Sequence, residues 1–161
     1  MNNLYLTNSL TKQKEIFKPL NTEKITLYAC GPTVYDKPHV GNARALVIFD
    51  LLFRVLTEIY GKTKVIYVRN ITDIDDKIIE SSKSKKIDIS DLTKSVTERF
   101  HNDCKILFCL NPNKEPRATD HVEGMINMTK KLIEKNAAYE KEGHVFFRVS
   151  SFKKYGKLSN K

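Results

Sequence analysis

Cysteine is scarce in this sequence of 161 residues, and tryptophan is absent from it. Its three cysteines, Cys30, Cys104 and Cys109, are too few and too irregularly spaced for a disulfide scaffold, so we expect a reducing, cytoplasmic setting. No apolar run reaches the ~18 residues of a membrane span. Residues 1–6 lack the charged and apolar regions of a signal peptide, and we therefore expect no membrane partner.

A surplus of lysine and arginine makes the chain basic. There are 28 Lys and Arg residues against 19 Asp and Glu residues, which gives a net charge of +9. Most of this surplus lies in residues 81–161, which hold 17 basic and 10 acidic residues. Such a balance suits a polyanionic partner such as nucleic acid, but a solvated lysine-rich surface explains it equally well.

The order of the hydrophobic segments predicts an α/β unit. Residues 24–30 and 63–69 have the composition of buried strands, and residues 43–60 form a strongly apolar helix between them. Residues 31–42 contain two prolines and two glycines, so we expect a loop that joins the first strand to the helix. The arrangement is that of a βαβ unit with parallel strands.

Two helices have patterns that predict what they bury. The helix at 43–60 is apolar apart from one i,i+4 stripe, and we expect it to be largely buried. That stripe consists of Asp50, Arg54 and Glu58. A later helix, at about 90–110, repeats apolar residues every four positions: Leu92, Val96, Phe100, Cys104 and Phe108. This stripe places Cys104 in the core rather than in a zinc site with His101 and Cys109.

The remaining elements are mainly helical. A short helix is predicted to end near residues 81–86, a longer one to cover about 119–135, and strands to lie within 138–149. Three acidic residues precede the short helix and are interpreted as charges that complement its dipole: Asp73, Asp75 and Asp76. We expect Thr72 or Asp73 to cap this helix.

The loop before the first helix contains His39-Val40-Gly41-Asn42. Ligands of parallel α/β sheets bind where strands end, against helix N-termini that offer free N–H groups to phosphate. The His39 imidazole can donate to a phosphate oxygen, and Gly41 lets a nucleotide approach the backbone. Asn42 can cap the helix or donate from its amide. The segment predicts nucleotide binding, with an ordinary loop histidine at His39 as the alternative.

Longer ordered segments are more specific than this tetrapeptide. They are YACGPTVYD (28–36), PHVGNAR (38–44), VRNITDIDDK (68–77), EPRAT (115–119) and YGKLS (155–159). In this order they resemble cysteinyl-tRNA synthetase, a class I aminoacyl-tRNA synthetase, over nearly the whole chain. The resemblance implies an α/β fold with a Rossmann-type half-domain of parallel strands at residues 1–88. Residues 89–161 would begin a helical connective insertion with a short β segment, which is truncated here.

The resemblance also implies a reaction and its site. Cysteine would be activated by ATP, with Mg²⁺, to cysteinyl-adenylate and transferred to tRNA(Cys). His39 and Asn42 would be catalytic and would bind ATP together with Gly41. Gly31 and Thr72 would bind the substrate cysteine. The family motif is His-Ile-Gly-His, so this chain departs from it at its second and fourth positions.

Cys30 has a separate implied role, as the first protein ligand of a Zn²⁺ ion that recognises the substrate thiol. Zinc prefers thiolate to hydroxyl, which would allow rejection of serine. The alternative is a small buried residue at a strand end. The other zinc ligands, a lysine-rich ATP loop and the anticodon domain belong to later segments that this sequence does not contain. We therefore expect an N-terminal fragment that binds ATP weakly and cannot charge tRNA without a C-terminal half.

Other functions stay open at this point. The chain is alternatively a non-catalytic truncated paralogue or one half of a split gene. A small nucleotidyltransferase with a His-x-Gly-His loop is a further alternative, although Cys30-Gly31-Pro32-Thr33 does not provide the Gly-x-Phe-Asp-Pro stretch it needs. A sister ligase family that joins cysteine to a sugar amine shares the same N-terminal pattern.

Overall fold

A pair of parallel strands forms the centre of one of the two units in the computed structural model, which describes residues 3–159. In chain order the strands and helices are β1 (Tyr5–Thr7), β2 (Lys14–Ile16), β3 (Ile25–Ala29), α1 (Val40–Tyr60), β4 (Val65–Arg69), α2 (Asp76–Lys85), α3 (Ile89–Ile106), α4 (Val122–Glu134), β5 (Ala138–Lys141) and β6 (His144–Phe147). Short 3-10 turns lie at Thr119–His121 and Val149–Ser151. One unit is Pro19–Asp120, and the other joins Met1–Lys18 to His121–Lys161.

The predicted βαβ unit is confirmed in Pro19–Asp120. Strands β3 and β4 pair in parallel, with Ile25 opposite Val65 and Ala29 opposite Arg69, and α1 connects them. A third segment, residues 113–118, runs parallel to β4 through bridges at Val68–Lys114 and Ile71–Arg117. Its polar sequence gives no strand pattern, so the sequence did not predict it. The parallel arrangement is confirmed for this unit only, because the other strand pairs are antiparallel.

The core of this unit lies where the helices meet the ends of the strands. Its buried members are Val34, Leu46, Ile71, Ile78, Leu92, Phe100 and Cys104. The prediction that Cys104 is a core residue is confirmed, and burial raises the pKa of its thiol. Phe108, predicted on the same stripe, is 84% exposed because α3 ends at Ile106.

Helix α1 begins earlier than the predicted residue 43, because His39 caps it from the position before Val40. The prediction that it is largely buried is wrong on one side. Ile48 and Leu51 are 51% and 60% exposed, whereas the polar side chain of Asp50 is buried. The apolar inner side still packs on the sheet, where the Phe53 ring lies 5.2 Å from the Tyr67 ring.

Asp50 anchors the segment that follows α3. Its Oδ1 accepts from the N–H of Leu110 at 2.7 Å, and its Oδ2 accepts from Nε of Arg54 at 2.6 Å. Arg54 in turn donates to the Phe108 carbonyl at 2.7 Å. Asp50, one residue of the predicted polar stripe, therefore faces inward and holds the loop that follows α3 in place.

Replacing Asp50 by Ala is expected to lower the free energy of unfolding by about 2 kcal/mol, because it leaves the Leu110 N–H without its acceptor and removes the acceptor of Arg54 Nε. Glu58→Ala is the matched control, since Glu58 is an exposed carboxylate of the same helix. It should change stability by less than about 0.5 kcal/mol. Urea unfolding followed by circular dichroism measures both, and equal effects would contradict the anchoring role.

The other unit contains two antiparallel hairpins and α4. Strands β5 and β6 confirm the predicted strands within 138–149, with Ala138 opposite Phe147. The hairpin of β1 and β2 was not predicted, since each strand has only three residues. Helix α4 starts later than the predicted residue 119, because a 3-10 turn precedes it. None of the helices within residues 3–159 is both long and apolar enough to cross a membrane.

Candidate functional site

His39 lies at the N-terminus of α1, in the loop that follows β3. Its Nδ1 accepts a hydrogen bond from the N–H of Gly41 at 3.1 Å, and its own N–H donates to Oδ1 of Asn42 at 3.0 Å. Because Nδ1 accepts, the neutral ring carries its proton on Nε2. Among residues 3–159, Nε2 has no hydrogen-bond partner. This nitrogen is therefore available to donate to a ligand.

A polar cavity of about 290 Å³ opens beside His39. Lys37, Asn42 and Lys77 line it, as does the exposed ring of Tyr35. The first turn of α1 has no acidic residue, so the positive end of the helix dipole is not offset there. These features together make the cavity suitable for a phosphate group.

One carboxylate also lines this cavity, that of Asp36. The N–H of Lys37 donates to Oδ1 at 2.8 Å, and Nζ of Lys85 lies 3.5 Å from the same atom. The Lys37 hydrogen bond and then the Lys85 charge hold the pKa of Asp36 below its usual value. Asp36 is therefore ionised at neutral pH, and Lys85 partly offsets its charge.

Gly31 occupies a position that only glycine fits. A Cβ there would lie 1.6 Å from the carbonyl oxygen of Asn70. The N–H of Gly31 donates to Oδ1 of Asn70 at 3.0 Å, while Nδ2 of Asn70 donates to Oγ1 of Thr72 at 3.1 Å. The amide of Asn70 thus joins the two residues predicted to bind the substrate cysteine. Gly31 lines the cavity beside His39, whereas Thr72 is not among its lining residues.

Cys30 follows the last residue of β3 and is exposed, so its interpretation as a small buried residue is wrong. It lines a second, small cavity of about 60 Å³ together with Asn42 and Arg69. Zinc sites need three or four protein ligands. Within the part of the chain that the structure describes, no three His, Cys, Asp or Glu side chains are grouped to hold a metal. These residues alone do not fit a zinc ion.

Arg69 was not predicted as part of the site. It is only 2% exposed, and its Nη2 and Nε lie 2.7 Å and 3.1 Å from Oε1 of Glu115. The guanidinium lies 4.8 Å from the Phe100 ring centre, and Oε2 of Glu115 lies 2.6 Å from Nε2 of His101. Charge-assisted bonds of this kind hold Arg69 rigidly beneath the cavity that contains Cys30. Arg69 is the last residue of an otherwise apolar strand, and this unusual position was the sequence signal that could have identified it as part of the site.

The acidic residues before α2 divide between two roles. Asp75 is the cap of α2, since its Oδ1 accepts from the N–H of Lys77 at 2.9 Å. The predicted cap at Thr72 or Asp73 is therefore wrong. Asp73 is buried and accepts from the N–H and the hydroxyl of Thr119, at 3.0 Å and 2.7 Å. Asp73 thus fixes the third parallel segment to the end of β4.

Comparison with known proteins gives consistent matches. A family model described as the tRNA synthetases class I (C) catalytic domain matches residues 16–161. The cysteine–tRNA ligase of Pelagibacter ubique (strain HTCC1062) is 56% identical over 158 residues, which cover 98% of this chain and 35% of that protein. That of Orientia tsutsugamushi (strain Ikeda) is 51% identical over 160 residues, covering 99% and 34%. The chain spans about a third of the length of these curated relatives.

Proposed function

The chain belongs to the cysteine–tRNA ligase family of class I tRNA synthetases, and we propose that it forms the part of the catalytic domain that binds ATP and cysteine. The single observation that carries the proposal is the Nε2–H of His39 at the N-terminus of α1, which has no hydrogen-bond partner among residues 3–159 and lies beside a cavity lined by Lys37 and Lys77. The small nucleotidyltransferase alternative has no support in these matches.

The proposed reaction begins with attack of the cysteine carboxylate on the α-phosphate of ATP. The bond to pyrophosphate breaks, and negative charge increases on the phosphate oxygens during the displacement. His39 would donate from Nε2 to one of these oxygens, and the N-terminus of α1 would stabilise the same charge. Asn42 would donate from Nδ2, since its Oδ1 is engaged by the N–H of His39. Gly41 would lie against the adenosine.

We propose that Mg²⁺ enters with ATP and that tRNA(Cys) accepts the cysteinyl group in a second step. Cys30 remains our proposed contribution to a zinc ion. The described residues do not complete a metal site around it, so we assign no step to zinc. Residues of the cysteine–tRNA ligase that this chain does not contain would have to provide the other ligands.

A chimera tests the proposed function. It carries these 161 residues in place of the matched third of the Pelagibacter ubique relative. We expect the chimera to charge tRNA(Cys) with cysteine and the isolated chain to show no charging. If the chimera is folded and inactive while the unmodified relative is active, the chain is a non-catalytic paralogue and the proposal is wrong.

Asn70→Asp tests whether the Asn70 amide positions the cysteine-binding residues. Aspartate keeps an acceptor for the Gly31 N–H but cannot donate to Oγ1 of Thr72, whose hydroxyl would then donate to the carboxylate instead of the substrate. We expect the KM for cysteine of the chimera to rise about tenfold, with the KM for ATP unchanged. The measurement is initial-rate ATP–pyrophosphate exchange.

Asn113→Asp is the matched control for this substitution. Oδ1 of Asn113 accepts from the N–H of Tyr67 at 2.7 Å, and aspartate preserves that bond. Both Michaelis constants should therefore stay at their original values. A cysteine KM that does not change in Asn70→Asp would show that the Asn70 amide has only a structural role.

A further inference from the structure

Helix α3 ends in a turn that places two cysteines side by side. The N–H of Phe108 donates to the carbonyl of Lys105, and the N–H of Cys109 donates to the carbonyl of Cys104, both at 3.0 Å. Phe108 adopts the left-handed conformation, with a φ of 55°. These hydrogen bonds and the left-handed residue make up a Schellman motif, in which the outermost two residues commonly bring their side chains into contact. Here those residues are Cys104 and Cys109.

The spacing of this pair suits a disulfide. The hydrogen bond of 3.0 Å from the Cys109 nitrogen to the Cys104 oxygen limits the separation of the two Cα atoms to about 7 Å, the largest distance that a disulfide can span. Cys104 belongs to the buried core cluster, and Cys109 packs against the same cluster. The two thiols therefore face a common environment, and both are free in this structure.

The two thiols differ in their access to solvent. Cys104 is buried, whereas Cys109 is half-buried and follows the exposed Phe108 on the turn. A dissolved small molecule therefore meets Cys109 first, and Cys104 is best placed to react with its neighbour. An accessible cysteine next to a second, resolving cysteine is the arrangement of reversibly oxidised sites in other proteins.

A metal ion is a poorer fit to this pair. Two thiolates would need one or two further protein ligands. His101 lies three residues before Cys104 on α3, but its Nε2 lies 2.6 Å from Oε2 of Glu115. Within residues 3–159, no three metal-binding side chains are grouped together. The chemistry that the pair can perform without further residues is formation of an S–S bond.

We propose that Cys104 and Cys109 form a site of reversible oxidative modification, at which a small-molecule disulfide such as oxidised glutathione converts the two thiols to an intramolecular disulfide. Cys109 loses its proton to water and attacks one sulfur of the small disulfide, whose S–S bond breaks. One thiolate leaves and takes up a proton. Cys104 then loses its proton and attacks Sγ of Cys109, which forms the intramolecular bond and releases the second thiolate to be protonated. The chain is oxidised by two electrons, and the small disulfide is reduced to two thiols.

The local electrostatics make this exchange slow at neutral pH. Burial raises the pKa of both thiols. The neighbouring charges have smaller effects of both signs, and they belong to Asp50, Arg54, Arg69 and Glu115. The thiolate fraction, and with it the rate of exchange, therefore rises with pH. A measurement at equilibrium does not depend on this rate.

The proposed disulfide would form against a residue that lines the candidate site. Nη1 of Arg69 donates to Sγ of Cys104 at 3.7 Å. Arg69 also lines the small cavity that contains Cys30. Neither thiol of the pair takes part in the proposed reaction with ATP, so the proposal of a disulfide does not depend on the proposed function.

The test measures the disulfide in the full 161-residue chain after equilibration with mixtures of reduced and oxidised glutathione at about pH 8, without oxygen. Acid stops the exchange, and N-ethylmaleimide blocks the remaining thiols. Trypsin cleaves after Lys105, between the two cysteines, so the disulfide joins peptides 100–105 and 106–114. Mass spectrometry identifies the joined peptides directly. The same titration in concentrated urea gives the value for the unfolded chain.

Three variants separate the pair from the third cysteine. Cys30→Ser is the matched control, since it removes an exposed cysteine outside the pair, and it should form the joined peptides as the original chain does. Cys104→Ser should retain one glutathione on Cys109, because the resolving thiol is missing. Cys109→Ser should leave the buried Cys104 unmodified. Circular dichroism checks that each variant is folded.

We expect the effective concentration of one thiol toward the other to be at least about tenfold higher in the folded chain than in urea, because the turn holds them together. An equal or lower value would overturn the proposal and leave the pair as core packing. A disulfide between Cys30 and either residue, in place of the joined peptides, would overturn it too. Glutathione retained on Cys104 but not on Cys109 in the single variants would contradict the assignment of Cys109 as the attacking thiol.

Discussion

Replacing His39 by Asn is expected to lower cysteine-dependent ATP–pyrophosphate exchange by the chimera about 100-fold without destabilising α1. Asparagine is among the best helix caps, so its oxygen can accept from the N–H of Gly41 as Nδ1 of His39 does. What it lacks is a donor at the position of Nε2. The variant therefore separates the cap from the proposed donation to phosphate.

His39→Ala removes both functions and serves as the comparison. Loss of the cap should lower the stability of the isolated chain by about 1 kcal/mol, which His39→Asn should not do. Thermal unfolding of the isolated chain measures the stability that the helix cap contributes. The exchange rate of the chimera measures the effect of the proposed hydrogen bond from Nε2 to phosphate. Exchange by His39→Asn within about threefold of the original rate would exclude His39 from the chemistry.

Gly31→Ala is expected to destabilise the chain strongly although it adds only one methyl group. Its Cβ would overlap the carbonyl oxygen of Asn70, at 1.6 Å, and backbone on two neighbouring segments would have to separate. This movement would also break the hydrogen bond from Gly31 to the Asn70 side chain. We expect a loss of about 3 kcal/mol or more, or failure to fold, in urea unfolding followed by circular dichroism.

Gly124→Ala is the matched control for this change. Gly124 lies in α4, and nothing lies within 4 Å of the position of an added Cβ. Alanine favours helix, so this variant should be neutral or more stable by up to about 1 kcal/mol. A similar loss in both variants would mean that close approach to Asn70 is not what requires glycine at position 31.

The βαβ unit and the buried side of α3 could be predicted from sequence, because both depend on patterns of neighbouring residues. Alternating apolar residues and turn residues define β3, α1 and β4, and the spacing of Leu92, Phe100 and Cys104 defines the buried side of α3. The parallel pairing of residues 113–118 was not predicted, because it depends on contact with β4 and not on the composition of this segment.

Burial was harder to predict than secondary structure. The sequence of α1 is apolar enough for a fully buried helix, yet Ile48 and Leu51 on one side of it are 51% and 60% exposed. Asp50 shows the reverse case, because a carboxylate that accepts two hydrogen bonds can lie inside. Both outcomes depend on which neighbours a helix meets, and a periodic pattern does not contain that information.

In the candidate site, contacts between residues close in sequence could be predicted, whereas contacts between different strands could not. The cap formed by His39 and Asn42 follows from adjacent residues, so the sequence motif located it. The amide of Asn70 and the guanidinium of Arg69 act across strands, on Gly31 and Glu115, and only three-dimensional structure brings these pairs together.

The most direct test of the proposed function is cysteine-dependent ATP–pyrophosphate exchange by the chimera in the absence of tRNA, because it isolates the step assigned to this chain. We expect exchange that depends on cysteine, is not supported by serine, and falls about 100-fold in His39→Asn. Binding of ATP without cysteine-dependent exchange, in a folded chimera, would contradict it.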